Sequence, residues 1–242
     1  MRAVRSEWLK LVSVRATWLL LGSMVLLEGA YAIAVASSGD LQKLRGGDAE
    51  NLFIGTPLAT IFVFTIGALL ATNEYRHKTA NPTFIVTPRR ERVVLAKFAV
   101  GLVVGLASAL LFIAVNAGFG LSILSNRGVP VDPGTAINIY VGVGIGLVLT
   151  CLLGVALGAL IRNQVVTIVL GIGLFFVLRD LLTSIFGKAA GAYFPGPSLL
   201  ALQGPSGEHW LLSQVGGGLV FAGYCLVIAI AAVIATRKLE IA

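Results

Sequence analysis

The sequence predicts an all-α polytopic membrane protein with six transmembrane helices. Three observations predict it. Of the 242 residues 57% are hydrophobic and only 12% charged, with a mean hydropathy of +0.93, whereas an ordinary soluble domain carries about 25% charged residues. Long apolar runs recur along the chain, and a helical crossing of the hydrocarbon core takes about 20 such residues. Six crossings place both termini on one face, and that face collects most of the 18 Lys and Arg residues; Lys43, Arg45, Arg127, Arg179 and Lys188 fall on the other. The positive-inside rule makes the richer face cytoplasmic.

The same numbers exclude other classes. A net charge of +7 is compatible with nucleic-acid binding, but the basic residues flank apolar runs instead of forming a solvated face. Cys151 and Cys225 both fall inside expected spans, as buried small apolar residues and not a disulfide framework. His77 and His209 fall on opposite sides of the membrane, which argues against a zinc site.

In chain order, residues 1–17 (MRAVRSEWLKLVSVRAT) carry Val4, Trp8 and Leu11 at helical spacing, widened by Leu9 and Val12. Arg2, Arg5, Ser6, Lys10, Ser13 and Arg15 take most of the other positions. That pattern predicts an amphipathic helix in the membrane interface, its basic face toward headgroups. The first span is expected from Thr17 to Ser37. Its AVASS end mimics a signal-cleavage site, but the leader is patterned and the apolar run exceeds the roughly 7–15 residues of a signal core. Ser38 to Asn51 is a Gly-rich loop, and the second span runs from about Leu52 to Thr72.

The segment 73–97 (NEYRHKTANPTFIVTPRRERVVLAK) organises the rest. It sets Arg76, Lys78, Arg89, Arg90, Arg92 and Lys97 against only Glu74 and Glu91, and reads as a cytoplasmic docking surface. Pro82 interrupts it, and Thr87-Pro88 has the form of a new helix start, Thr at the cap and Pro in the first turn. Span three is expected from about Phe98 to Leu124, an outer loop from Ser125 to Ala136, and span four from about Asn138 to Ile161. After a minimal turn, span five starts at Val165. It either continues to about Phe186 with Arg179-Asp180 near the outer interface or breaks at that pair. Residues 187–214 are too interrupted by Gly and Pro to cross; short re-entrant or interfacial helices are expected there, with Tyr193 and Trp210 as interface anchors. The last span runs from about Val215 to Ala235.

Four polar groups fall at depth: Glu28, Asn116, Arg179 and Asp180. An acidic residue at the bilayer centre costs about 2.5–3.5 kcal/mol on insertion scales, so Glu28 should face helices or water. These groups mark a translocation path or a dimer interface, or they make local helix–helix hydrogen bonds worth about 0.6 kcal/mol each. Local bonding is favoured for Asn116, and both readings stand for Glu28. The pairs Gly101/Gly105, Gly142/Gly146 and Gly154/Gly158 are G-x-x-x-G spacings that let helices approach closely, with packing inside one chain favoured over dimerisation. There is no Walker A, G-x-S-x-G or H-E-x-x-H pattern. The sequence thus shows no catalytic residues, no metal ligands and no cofactor-binding residues of its own.

The stretch ATNEYRHKTANPTFIVTPRRERVVLAK resembles the cytoplasmic segment of ABC-2 type transporter permeases, especially the short actinobacterial kind. An E-Y-R-H-x-T run there ends span two, and a T-P-R-R-x-R run followed by Lys opens span three. RSEWLKLVSVRATW is similar to the family's opening, and LGALIRNQ and YFPG resemble its span-four exit and its outer loop before span six. The resemblance covers the whole chain in order. It implies a single permease domain over 1–242, whose leader is a connecting helix and whose segment 73–97 holds a coupling helix. The implied partner is a separate ATP-binding subunit, which carries the ATP and Mg, and a second permease copy. Glu74, Tyr75, Arg76, His77, Thr79 and Pro82 match the first coupling motif; Thr87, Pro88, Arg89, Arg90, Arg92 and Lys97 match the second. Asn81 departs from it, standing where the family carries a basic residue before proline.

The expectation is a non-enzymatic subunit of an exporter in the cell membrane, with both termini cytoplasmic, moving a hydrophobic or amphipathic drug, peptide or lipid. The alternatives are a stand-alone carrier, for which internal repeats are expected and none is seen, and a non-transporting scaffold or immunity protein.

Overall fold

The computed structural model describes residues 2–38, 53–54, 57–76, 90–204 and 209–237. All regular structure among them is helical. We number the helices α1 (Arg2–Ser13), α2 (Arg15–Ser38), α3 (Pro57–Arg76), α4 (Arg90–Asn126), α5 (Pro133–Ile161), α6 (Gln164–Ile172), α7 (Leu178–Gly191), α8 (Pro195–Gln203) and α9 (Gln214–Arg237). Five of them, α2, α3, α4, α5 and α9, are long and apolar enough to cross a membrane.

α3 and α5 form the centre and the other spans wrap them, as expected of helices that are apolar on every face. Glycine lets this pair come close. A Cβ added to Gly67 would fall 2.1 Å from the Cys151 carbonyl oxygen, and one on Gly154 would fall 2.3 Å from that of Phe64. The three G-x-x-x-G pairs are all spent inside the chain. Gly101 and Gly105 admit α5 through Val155 and Val148, Gly142 and Gly146 admit α8, and Gly158 admits Ala68 and Ala71 of α3.

The ends differ from the sequence reading in ways that local chemistry explains. α5 starts at Pro133, not Asn138, because Asp132 is its N-cap: the carboxylate accepts from the Gly134 and Thr135 backbone N–H groups, with proline in the first turn. α4 is one unbroken helix of 37 residues, roughly 56 Å long, so its first turns project past a hydrocarbon core of about 30 Å. At the α5–α6 turn, Arg162 takes a left-handed conformation (φ 60°), and its guanidinium donates to Ala235 O at 3.4 Å. A cation there complements the negative end of α9.

Between α6 and α7 lies a π turn, Gly173–Val177. It delivers Phe175 between Phe64 of α3 (ring centroids 5.7 Å) and Phe221 of α9 (6.3 Å). The helical run passes through Arg179-Asp180 without a break and ends at Gly187, whose φ is 80°. The break at Arg179-Asp180 that the sequence left open does not occur. α8 is buried over nearly its whole length. It packs on Gly142 and Gly146 of α5 and on Gly217 of α9, inside the bundle. Tyr193, just before it, is exposed.

Candidate functional site

The chemistry-bearing cluster lies where α1 meets the ends of α3 and α4. On α1, Glu7, Lys10 and Leu11 share one helical stripe, and its Glu7 and Leu11 turn into the bundle, 2% and 7% exposed. Val4, Trp8 and Leu9 stay exposed. The leader is a helix as expected, and the sequence reading is corrected at one residue. Lys10, assigned to the headgroup face, pairs with Glu7 and Glu74 while its side chain stays 43% exposed, and Glu7, which no periodicity argument singled out, is at the centre.

Four side chains close a ring of alternating charge. Lys10 Nζ lies 2.7 Å from Glu7 Oε1 and 2.5 Å from Glu74 Oε1. Lys97 Nζ lies 2.6 Å from Glu7 Oε2 and 3.2 Å from Glu74 Oε2. Every carboxylate oxygen has an ammonium, and two charges of each sign leave the ring neutral. Lys97 spends its third N–H on the Leu70 carbonyl at 3.1 Å, which completes its three donors. Full pairing is what makes this burial tolerable, since each ion taken from water costs several kcal/mol unless it is matched. A cavity of about 280 Å³ adjoins the ring, lined by Leu11, Thr17, Leu69 and Asn73 besides the ring itself.

Lys10 is the ring member nearest solvent. Partial burial works to lower its pKa, but the hydrogen bonds and charges of Glu7 and Glu74 outweigh this and hold it above the ordinary 10.5. A raised folded-state value means that the Lys10 contribution is complete below 10.5 and is lost only as pH rises through the raised value. The stability difference between wild type and Lys10→Met is therefore expected to stay constant from about pH 7 to about pH 10 and to shrink above that. Thermal melts of the detergent-purified pair check it.

The sequence-derived coupling residues are placed unevenly. Glu74 is inside the ring and 6% exposed, and Lys97, counted as part of a basic docking surface, is 4% exposed and faces the bundle. Tyr75 is half-buried and Arg92 exposed. Arg76 ends α3 and Arg90 begins α4. His77, Thr79, Pro82, Thr87, Pro88 and Arg89, with the expected coupling helix, lie outside the described residues. The four ring residues come from RSEWLK, NEYR and VVLAK, the stretches that carry the family resemblance. Opposite charges within three such stretches were the available signal for pairing them.

The polar groups at depth are not brought together with the ring. Asn116 is fully buried and accepts a hydrogen bond from Tyr140 Oη at 3.0 Å, the local α4–α5 bond favoured from sequence. Tyr140→Phe is expected to cost about 0.6 kcal/mol in a denaturant titration. Glu28 is 1% exposed, inside the helix packing of the chain. Arg179 lies against Gly196 at the start of α8, and the Asp180 side chain lies outside the described residues.

The family model described as ABC-2 family transporter protein matches residues 3–178, from α1 through the π turn. The chain belongs to this family. No curated protein matches it. Membership makes the chain a multi-pass membrane transport subunit of a kind that normally works with an ATP-binding subunit and is not itself an enzyme. The matched span contains the whole ion-pair ring of the permease, whereas α8 and the last long helix α9 lie beyond it.

Proposed function

We propose that this permease is the membrane-spanning subunit of an ATP-driven exporter, pushed by a separate ATP-binding subunit that docks on the segment between α3 and α4. The observation that carries the reading is the buried ring. Glu74 and Lys97 stand on the two helices that flank that segment, and Glu7 and Lys10 tie both helices to α1. A load applied between α3 and α4 then reaches a braced three-helix corner, as rigid-body transmission requires. Coupling further requires that the partner bind two permease states with different affinity.

In this reading the run Gln164–Phe186, roughly 34 Å of helix, is the sixth crossing, and α8 lies at the outer side. Both termini are cytoplasmic, the membrane is the plasma membrane, and two copies assemble around the path. The apolar interior suits a hydrophobic or amphipathic drug, peptide or lipid. ATP and Mg belong to the partner.

The test is ATP hydrolysis by the candidate ATP-binding subunit, co-expressed with the permease in lipid and compared with an Arg76→Glu/Arg89→Glu variant. Co-purification and hydrolysis with wild type, lost in the variant, support the coupling reading. Failure of any ATP-binding subunit to associate overturns it.

A further inference from the structure

On the membrane side of α1, Val4, Arg5 and Trp8 face Val100 and Val103 of α4 across an open groove of about 490 Å³. Its two ends differ in chemistry. Val100 and Val103 lie about one and two turns deeper along α4 than Lys97, roughly 4.5 and 9 Å, and nothing polar lines the groove at their level. Arg5 is at the α1 rim. It is exposed and makes no ion pair among the described residues, in contrast with Lys10 on the next turn, whose charge the ring consumes. Trp8, 40% exposed, lies between the two ends, an amphipathic ring at the level where such side chains settle.

We propose that this groove binds one anionic phospholipid of the leaflet at the α1 end, its acyl chain along Val4, Trp8 and Val103 and its phosphate on Arg5. A cation with no counter-ion among the described residues, beside an apolar groove, matches a molecule with an anionic head and an apolar tail. A zwitterionic lipid fills the channel equally but leaves the Arg5 charge uncompensated. The assignment of that leaflet as cytoplasmic rests on the orientation in the proposed function. Headgroup selection is read without any ATP-binding subunit, so its failure and the failure of coupling are separate results.

Trp8 supplies the readout. In a Trp18→Phe/Trp210→Phe background it is the one remaining tryptophan. The protein is placed in phosphatidylcholine nanodiscs doped with brominated-chain phosphatidylglycerol or brominated-chain phosphatidylcholine. The brominated anionic lipid is expected to half-quench Trp8 at a roughly fivefold lower mole fraction than the zwitterionic one, the increment of one basic side chain at a lipid surface. Arg5→Gln should bring the two curves together while Arg15→Gln leaves them apart. Equal quenching in wild type overturns the proposal. So does an equal loss in Arg5→Gln and Arg15→Gln, which marks general surface attraction, and so does absence of quenching by either lipid, which marks a groove covered by protein. Native mass spectrometry of the unsubstituted chain and Arg5→Gln, counting retained phosphatidylglycerol, gives the same decision without the tryptophan replacements.

Discussion

Lys97→Met is expected to destabilise the permease by about 3–5 kcal/mol, the range for removing one partner of a buried, hydrogen-bonded charge set. The replacement keeps the length and apolar stem of the side chain but deletes the ammonium. Glu7 and Glu74 are then left to share Lys10, and the ring goes from neutral to one net negative charge in a site where Glu7 is 2% exposed. Glu7→Gln leaves one net positive charge and should cost a similar amount. The double variant Lys97→Met/Glu7→Gln restores neutrality around the Lys10–Glu74 pair, so its loss should fall short of the sum by about 1–3 kcal/mol. Lys10→Met should cost less than either, because its ammonium is partly exposed and already screened by water. Denaturant titration in detergent measures all four. Single variants that unfold with wild type would show that the ring contributes no stability, and strictly additive losses would show that its members do not act as a unit.

Gly154→Ala is expected to cost about 3 kcal/mol or more, the upper end of overpacking penalties. The new methyl would lie 2.3 Å from the Phe64 carbonyl oxygen and 2.9 Å from the Ala68 nitrogen. Both are backbone atoms of α3, so no rotamer change relieves the contact and the two central helices must separate. Gly67→Ala presses on the same interface from the other side through Cys151, so the two losses should not add. Gly22→Ala is the matched control. Nothing lies within 4 Å of its added Cβ, and the change should be neutral or stabilise by up to about 1 kcal/mol through the lower conformational entropy of the unfolded chain. Thermal melts rank the three variants, and Gly154→Ala melting beside Gly22→Ala would contradict the close approach.

The periodicity argument succeeded wherever one physical term dominated. A long uncharged run has only a membrane or a protein core to enter, so the five long spans were legible from composition and length. The small-residue spacings were legible for the same reason, since a glycine stripe on an apolar helix has little use besides close approach. The argument failed on α1. A stripe search seeks apolar residues, and the buried positions there include Glu7, whose partner Lys10 stays partly exposed. Asp132-Pro133 was a readable cap signal overshadowed by the turn residues around it. At Arg179-Asp180 local sequence left continuation and a break both open, and a π turn upstream with continuation to Gly187 carries the helix through it.

Hydropathy and charge distribution, both local properties of the chain, settled the class of protein and its long spans, and the motif strings its family resemblance, before any contact was known. Whether a charge faces water, a headgroup or another charge depends on which residues meet across sequence separations such as the 90 between Glu7 and Lys97. That is a property of packing alone. The tertiary structure therefore decided that Glu74 and Lys97 brace the bundle from within and that α8 is buried.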